Sequence, residues 1–393
     1  RMEGLDIPNP NHVSTQGANG GPISMLNNNT LATSDFFTGA FPAQYGNAYA
    51  GAFDLNLRQG NASTYEGLFQ IGFAGFEGLV EGPLKKNSGS SFLVAGRYST
   101  LAVFDLLGIS FGDLAAIPEY QDLTFNANID LKKAGQLQIF GIGGRSNIDI
   151  VQSELTDEEF NDLSFADYSD IYQRVNMGVA GVSHSIGIGD RGFLKSTLGL
   201  TTENRELEVD SLDVNRNPSD FYGEDYGMWQ VQLHEQYTHK FNARHNTRLG
   251  FQGKFMTHNV ADSQYVRLPD SSSFAVPLTD IEQQSNLFQL YANHEFRITS
   301  DLSINGGVHG MYYDLNDTWA IEPRVGMRWN VSNKHTISAG AGIHHQTLPI
   351  QVYLVTDTAT GQRENNDLDL LRNHHAVVGY EFRPFTNFRA KLE

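Results

Sequence analysis

Few residues in this chain have the types and spacing that site chemistry demands. A side-chain nucleophile needs a base within hydrogen-bond reach, and the candidates are Ser24, the adjacent pair Ser183 and His184, and the doublets His344-His345 and His374-His375. Neighbours on a regular strand point to opposite faces, so neither doublet can offer both rings to one metal ion, and Ser183 with His184 cannot form a dyad. The glycines of IGIGDRG, 186 to 192, fall in a hairpin turn and not ahead of a helix, so they make no phosphate-binding loop. The absence of cysteine excludes thiolate catalysis and thiolate metal sites. From Asp149 to Asp170 there are eight Asp or Glu and no Lys or Arg. Clustered carboxylates suit hard cations, but the EF-hand spacing is missing, and a solvated surface loop is the preferred reading. Neither a catalytic nor a metal site is expected, and no cofactor.

The elements that carry these residues are strands. Phe53, Leu55 and Leu57 alternate with Asp54, Asn56 and Arg58, the period-2 signature of a half-buried strand, and QGN ends it. The alternation returns at about 65 to 73, 76 to 84, 91 to 105, 119 to 132, 135 to 150, 169 to 188, 193 to 209, 225 to 240, 246 to 260, 283 to 299, 302 to 315, 318 to 330, 335 to 347 and 372 to 384, with another strand starting near 387. Short connections (KKNSGS at 85, KKAG at 132, IGDRG at 188, FNARHN at 241, TSD at 299, SNK at 332, RPFTN at 383) alternate with long segments centred near 112, 160, 217, 270 and 360. Short turns on one rim and long loops on the other describe an up-and-down transmembrane barrel.

Composition agrees. A net charge of −18 argues against a general nucleic-acid binder. No apolar run approaches the ~18 residues of a membrane-spanning helix, whereas the low mean hydropathy of −0.35 with 39 glycines and 16 tyrosines suits strands that alternate between lipid and lumen. In TRLGFQGKFMTH, Leu249, Phe251 and Phe255 oppose Arg248, Gln252, Lys254 and His258; in WAIEPRVGMRWN, Trp319, Ile321, Val325, Met327 and Trp329 oppose Glu322, Arg324 and Arg328. The polar parity nominates Arg248, Lys254, Glu322, Arg324 and Arg328 as lumen-facing, either touching ligand or pairing with charges inside. Tyr312, Tyr313, Trp319 and Trp329 fall near strand ends, where an interfacial aromatic girdle would sit. Pro323 counts against its strand, since proline is confined to edges, strand starts or bulges.

Residues 1 to 61 carry, in order, EG, PNPNH, GGPISML, TGAFPAQYGNA and LRQGN, followed by EGPL with FLVAGRYS at 81 to 99 and IEPRVGMRW at 321 to 329. This order resembles the TonB-dependent outer-membrane receptors and transporters in their Bacteroidetes-type form. The resemblance implies an all-β protein: the C-terminal part of a plug domain at 1–61, then strands of a transmembrane antiparallel β-barrel at 62–393, about 14 of them complete. A whole family member has 22 strands, so the chain reads as an internal part of a larger protein, and an open sheet would leave costly unpaired edges in lipid. The implied function is TonB-dependent uptake of a scarce, bulky ligand such as an iron chelate, cobalamin or an oligosaccharide across the bacterial outer membrane, powered by the TonB-ExbB-ExbD complex. The plug loop after the EG dipeptide faces outward in that family, which nominates Asn9, Asn11, His12 and Gln16 for ligand binding; the alternative for NPNH is a turn held by asparagine side chains. A passive porin would share the barrel but lack the plug, and a secreted soluble β-rich binding protein would bury the apolar parity against a second sheet.

Overall fold

The structure, a computed structural model, describes residues 1–14, 20–21, 23–72, 75–99, 118–155, 168–267, 273–357 and 360–393. Two small two-stranded sheets come first: β1 (Asn11–His12) with β2 (Ile23–Ser24), and β3 (Asp35–Phe37) with β4 (Ala52–Asp54). Fifteen antiparallel strands then pair in sequence order. They are β5 (Glu66–Gly72), β6 (Gly75–Pro83), β7 (Ser91–Tyr98), β8 (Glu119–Asp130), β9 (Gln136–Ile150), β10 (Ser169–Ile188), β11 (Gly192–Leu212), β12 (Pro218–Lys240), β13 (His245–Arg267), β14 (Ser273–Arg297), β15 (Leu302–Tyr313), β16 (Thr318–Ser332), β17 (His335–Gln346), β18 (Leu371–Phe382) and β19 (Ala390–Leu392). A five-residue helix, α1 (Ile350–Leu354), lies between β17 and β18. Among the described residues no helix is long and apolar enough to cross a membrane.

Every strand read from the alternation is present among the described residues, the one at 91 to 105 as Ser91–Tyr98 with 100 to 105 outside them, and the short connections fall on one rim. The other rim differs from expectation. The segment near 217 is not a long loop: β11 and β12 stay paired to Leu212 and Pro218, leaving a turn in which the Asp213 carboxylate accepts from the backbone N–H of Asn215 and Asn217. β13 and β14 likewise pair out to Arg267 and Ser273, with a register shift beside Pro277. Polar residues obscured these extensions because, beyond a bilayer, both faces of a strand are wet and the alternation fades. The middles of the segments near 112, 160 and 270, and most of the acidic run after Asp149, lie outside the described residues.

The two faces of the sheet divide as the parity indicates. Leu198, Leu249, Phe255, Leu290, Val308, Trp319, Ile321, Val325, Trp329 and Val378 are exposed on the outer face. Gln232, Gln252, Lys254, Gln289, His309, Glu322, Arg324 and His344 are buried on the inner one. Such inside-out polarity is what a wall between lipid and a polar lumen requires. Tyr313 departs from the girdle: it is buried and packs on Tyr353 of α1, ring centroids 5.8 Å apart. Pro323 stands within β16, contrary to the objection against it. The ladder to β17 begins only at Arg324 with Gly342, so no β17 partner faces the proline, and the Glu322 carboxylate accepts the His345 N–H at 2.6 Å in place of a ladder bond.

This polarity predicts the outcome of charge insertion. Leu290→Arg, on the outer face well above the short-turn rim, should destabilise the barrel in lipid by about 2–4 kcal/mol if it lies near the bilayer midplane, measured by reversible unfolding in phospholipid vesicles. Thr202→Arg, on the same face but towards the far rim, should cost less.

Candidate functional site

The sheet curls around residues 1 to 61. Side chains from β6 to β18 reach them: Glu77 to Asn27 and Asn29, Asp122 to His12, Lys195 to Glu3, Lys254 to Asp6, His309 to Ala43, Arg324 to Tyr45, and His375 to Tyr49.

The stretch FPAQYGN, 41 to 47, explains why. It has no ladder of its own, yet a backbone carbonyl shut away from water needs a donor. Arg324 Nη1 donates to the carbonyls of Phe41, Pro42 and Tyr45 at 3.4, 2.8 and 2.6 Å, and its guanidinium lies 5.0 Å from the Phe41 ring. His309 Nδ1 donates to Ala43 O at 2.8 Å. Arg1 donates to Gln44 O and Gly46 O. Six successive carbonyls are therefore held by two arginines and one histidine. Arg248 binds the Gln44 side chain, and Asn47 Oδ1 accepts from Thr347 N at 2.8 Å.

A second anchor is ionic. Glu3 has φ +53° and Gly4 φ +92°, and a Cβ on Gly4 would come within 2.6 Å of the His234 ring, so the EG turn requires its glycine twice over. Glu3 accepts Leu57 N at 2.9 Å and pairs with Lys195 at 3.2 Å. Asp6 pairs with both Arg1 and Lys254. Burial alone would raise the Asp6 pKa; the two cations outweigh it and hold the carboxyl well below the usual carboxylate range.

The third anchor is apolar. Met2, Leu5, Met25, Leu55 and Leu57 pack with Phe140 and Ile142 of β9 and Val175, Met177 and Val179 of β10 in one buried cluster.

The nominated residues separate into groups. Asn9 Nδ2 donates to Gly20 O at 3.0 Å and Asn11 Nδ2 to Asn9 Oδ1, which is the asparagine-held turn. His12 is 0 % exposed and bonds Asp122 at 3.0 Å, and Asp122 in turn pairs with Arg97. It is a strut between segment and wall, not a side chain open to a ligand, because β1 and β2 turn it onto β8. Gln16 lies outside the described residues. Arg248, Lys254, Glu322 and Arg324 all face the lumen and bind the segment or one another. Arg328 shares that parity but is exposed near the short-turn rim.

A vestibule on the loop side went unread in the sequence. Tyr226, Val260, Ile350 and Leu354 form one apolar cluster, and Leu287, Met311, Tyr313, Tyr353 and Leu370 another, so α1 folds inward onto β12 to β16. The apolar run LPIQVYLV within a polar loop was the available signal. The Glu203–Arg205 pair and the Tyr226–His258 contact at 3.3 Å lie on the same inner wall, and Arg205 Nη1 has no hydrogen-bond partner among the described residues.

No protein-family model matches the chain, and no curated protein sequence matches it. Solved structures do. A variant of the ferric enterobactin receptor PfeA from Pseudomonas aeruginosa superposes with a TM-score of 0.64 at 13% identity, covering 99% of this chain and 61% of that one. The outer membrane transporter YddB from Escherichia coli gives 0.63 at 11% identity, with 99% and 60% covered. The siderophore receptor PirA from Acinetobacter baumannii gives 0.60 at 12% identity, with 90% and 55% covered. The chain thus has the fold of outer-membrane receptor barrels, and it spans about three fifths of the length of the first two.

Two outcomes follow from the anchors. A Cβ on Gly46 would sit 2.0 Å from the buried His309 ring, whereas one on Gly20 meets nothing within 4 Å. Gly46→Ala should therefore loosen the segment by about 1–3 kcal/mol, seen as faster proteolysis of residues 36 to 61, and Gly20→Ala should not. Since the folded Asp6 pKa is depressed, its contribution is complete above its unfolded value near ~3.9 and is lost only as pH falls through the lower folded value. Proteolysis resistance should persist at about pH 4 and fall in Asp6→Asn at neutral pH.

Proposed function

We propose that this chain belongs to an active importer that carries a bulky ligand across the outer membrane of a bacterium. The single observation that carries this reading is the filled lumen: the described part of residues 1 to 61 occupies the inside of the wall, and side chains of wall strands bind its irregular backbone and its Asp6 carboxylate. A passive channel gains nothing from such an obstruction. A soluble sheet would cover its outer apolar face, which here is bare.

In this reading residues 1–61 are the plug and residues 62–393 barrel wall. Ligand enters from the rim that carries α1, and the turn at Asn9 and Asn11 with the vestibule around Arg205, Tyr226 and His258 meets it. Arg205 offers a buried guanidinium N–H that is unpaired among the described residues, suited to an anionic or hydroxylated group. Force from a TonB-ExbB-ExbD complex then displaces the plug, and no covalent step is involved. The ferric enterobactin and siderophore receptors it resembles in fold support an iron chelate as the first ligand class to try, ahead of cobalamin and oligosaccharides.

The experiment compares wild-type cells with cells lacking the full-length gene, offering radio-iron catecholate and hydroxamate chelates, radiolabelled cobalamin and radiolabelled maltooligosaccharides. The expected result is loss of uptake of one probe in the deletion strain and equal loss in wild-type cells given a protonophore. Gene-dependent uptake that persists when the proton gradient collapses would identify a passive channel and overturn the reading.

A further inference from the structure

The contacts between residues 1 to 61 and the wall are unequal around the circumference. Against β9 and β10 they are chiefly the apolar cluster of Met2, Leu5, Met25, Leu55 and Leu57 on Phe140, Ile142, Val175, Met177 and Val179, with two hydrogen bonds besides, Val13 N to Ser146 Oγ and Gln173 Nε2 to Ser14 O. Water gains nothing by entering such a seam, and separating it exposes apolar surface at about 25 cal/mol per Å².

The seam against β13 to β15 is polar throughout: its anchors, Arg248 on Gln44, His309 on Ala43 O and Lys254 on Asp6, are hydrogen bonds and an ion pair that water can replace. Beside Pro42 lies a cavity of about 240 Å³ lined by Asn246, Arg248, Asn293, Glu295, Ser303 and Asn305. These residues stand near the short turns 241 to 244 and 298 to 301, so the cavity is at the short-turn rim. Above it the inner wall continues with Gln252, Gln289 and His309, and along this column Arg248 Nε, Asn305 Oδ1, Gln252 Nε2, Gln289 Oε1 and His309 Nε2 have no hydrogen-bond partner among the described residues. Gln252, Gln289 and His309 are at most 2 % exposed. Polar side chains packed this way keep their hydrogen bonds when the seam opens to water or to a polar ligand, whereas an apolar seam would lose its burial.

Resting on the uptake reading above, we propose that the passage through this barrel opens between residues 41–47 and the wall of β13 to β15, while the β9–β10 side stays attached as the hinge. The lining supplies amide, hydroxyl, guanidinium and carboxylate groups, with Arg248 and Glu295 of opposite sign, so a hydrated ligand meets hydrogen-bonding partners and little net charge.

Single cysteines test this in the full-length protein, with any native cysteine outside residues 1–393 replaced by serine; residues 1–393 contain none. Ala43→Cys and Gln289→Cys report the polar seam, Met25→Cys and Val179→Cys the apolar one, and all four wild-type side chains are at most 3 % exposed, so none should react in the closed state. In detergent, with the strands still intact by circular dichroism, rising urea should make Ala43→Cys and Gln289→Cys reactive to N-ethylmaleimide at a lower concentration than the other two. Simultaneous labelling, or labelling of Met25→Cys and Val179→Cys first, would overturn the proposal. Ala43→Cys removes no amide, so agreement between it and Gln289→Cys excludes an opening caused by the lost amide. On cells, protonophore-sensitive labelling of Ala43→Cys by membrane-impermeant biotin maleimide is expected. If the urea order holds but that labelling is insensitive to protonophore, the uptake reading fails while the weak seam stands.

Discussion

The structure depends on one constraint: peptide groups removed from water need partners, and the irregular segment inside this wall supplies only part of its own. The carbonyls from Phe41 to Gly46 have no strand to pair with, so the wall and Arg1 provide Arg324, His309 and Arg1 as donors. This explains why charged and imidazole side chains sit buried on the inner face of β15 and β16. It also explains why Gly46 is glycine, since the donor His309 must approach to contact distance.

The same requirement shapes the wall. Where Pro323 withholds an N–H, the ladder to β17 stops, and Glu322 turns its carboxylate to the N–H of His345 while its other oxygen binds Arg324 at 2.5 Å. One glutamate thus mends the sheet edge and braces the arginine that holds the segment. Asp122 does comparable work on the far side, joining His12 to Arg97, whose guanidinium reaches Ser24 O at 2.6 Å. The IEPR and GRY stretches noticed in the sequence owe their residue types to these braces.

The strands and short turns were legible because period-2 alternation records a wall with lipid on one side and polar groups on the other. Lumen orientation followed for Arg248, Lys254, Glu322 and Arg324. Parity could not say what each side chain would meet, because partners such as Arg324 and Tyr45 are separated by hundreds of residues in sequence. His12 was open to two fates from its turn, and only its docking on Asp122 decided between them. Tyr313 shows the limit of position along a strand: near a strand end it fits a girdle or a vestibule, and which face it occupies depends on a register that one residue reverses. The inward fold of α1 and the long pairing of β11 with β12 arise beyond the bilayer, where no lipid imposes a pattern.

The central claim is that the described part of residues 1 to 61 lies inside the curled wall and is held there by wall side chains. Planar-bilayer conductance of the full-length protein, with and without those residues, tests it most directly. The account predicts a closed protein when the segment is present, and large, stable, ohmic channels when it is deleted, with the β-sheet circular dichroism spectrum retained. Deleted protein that remains folded but non-conducting would contradict it, because the lumen would then be closed by something other than this segment.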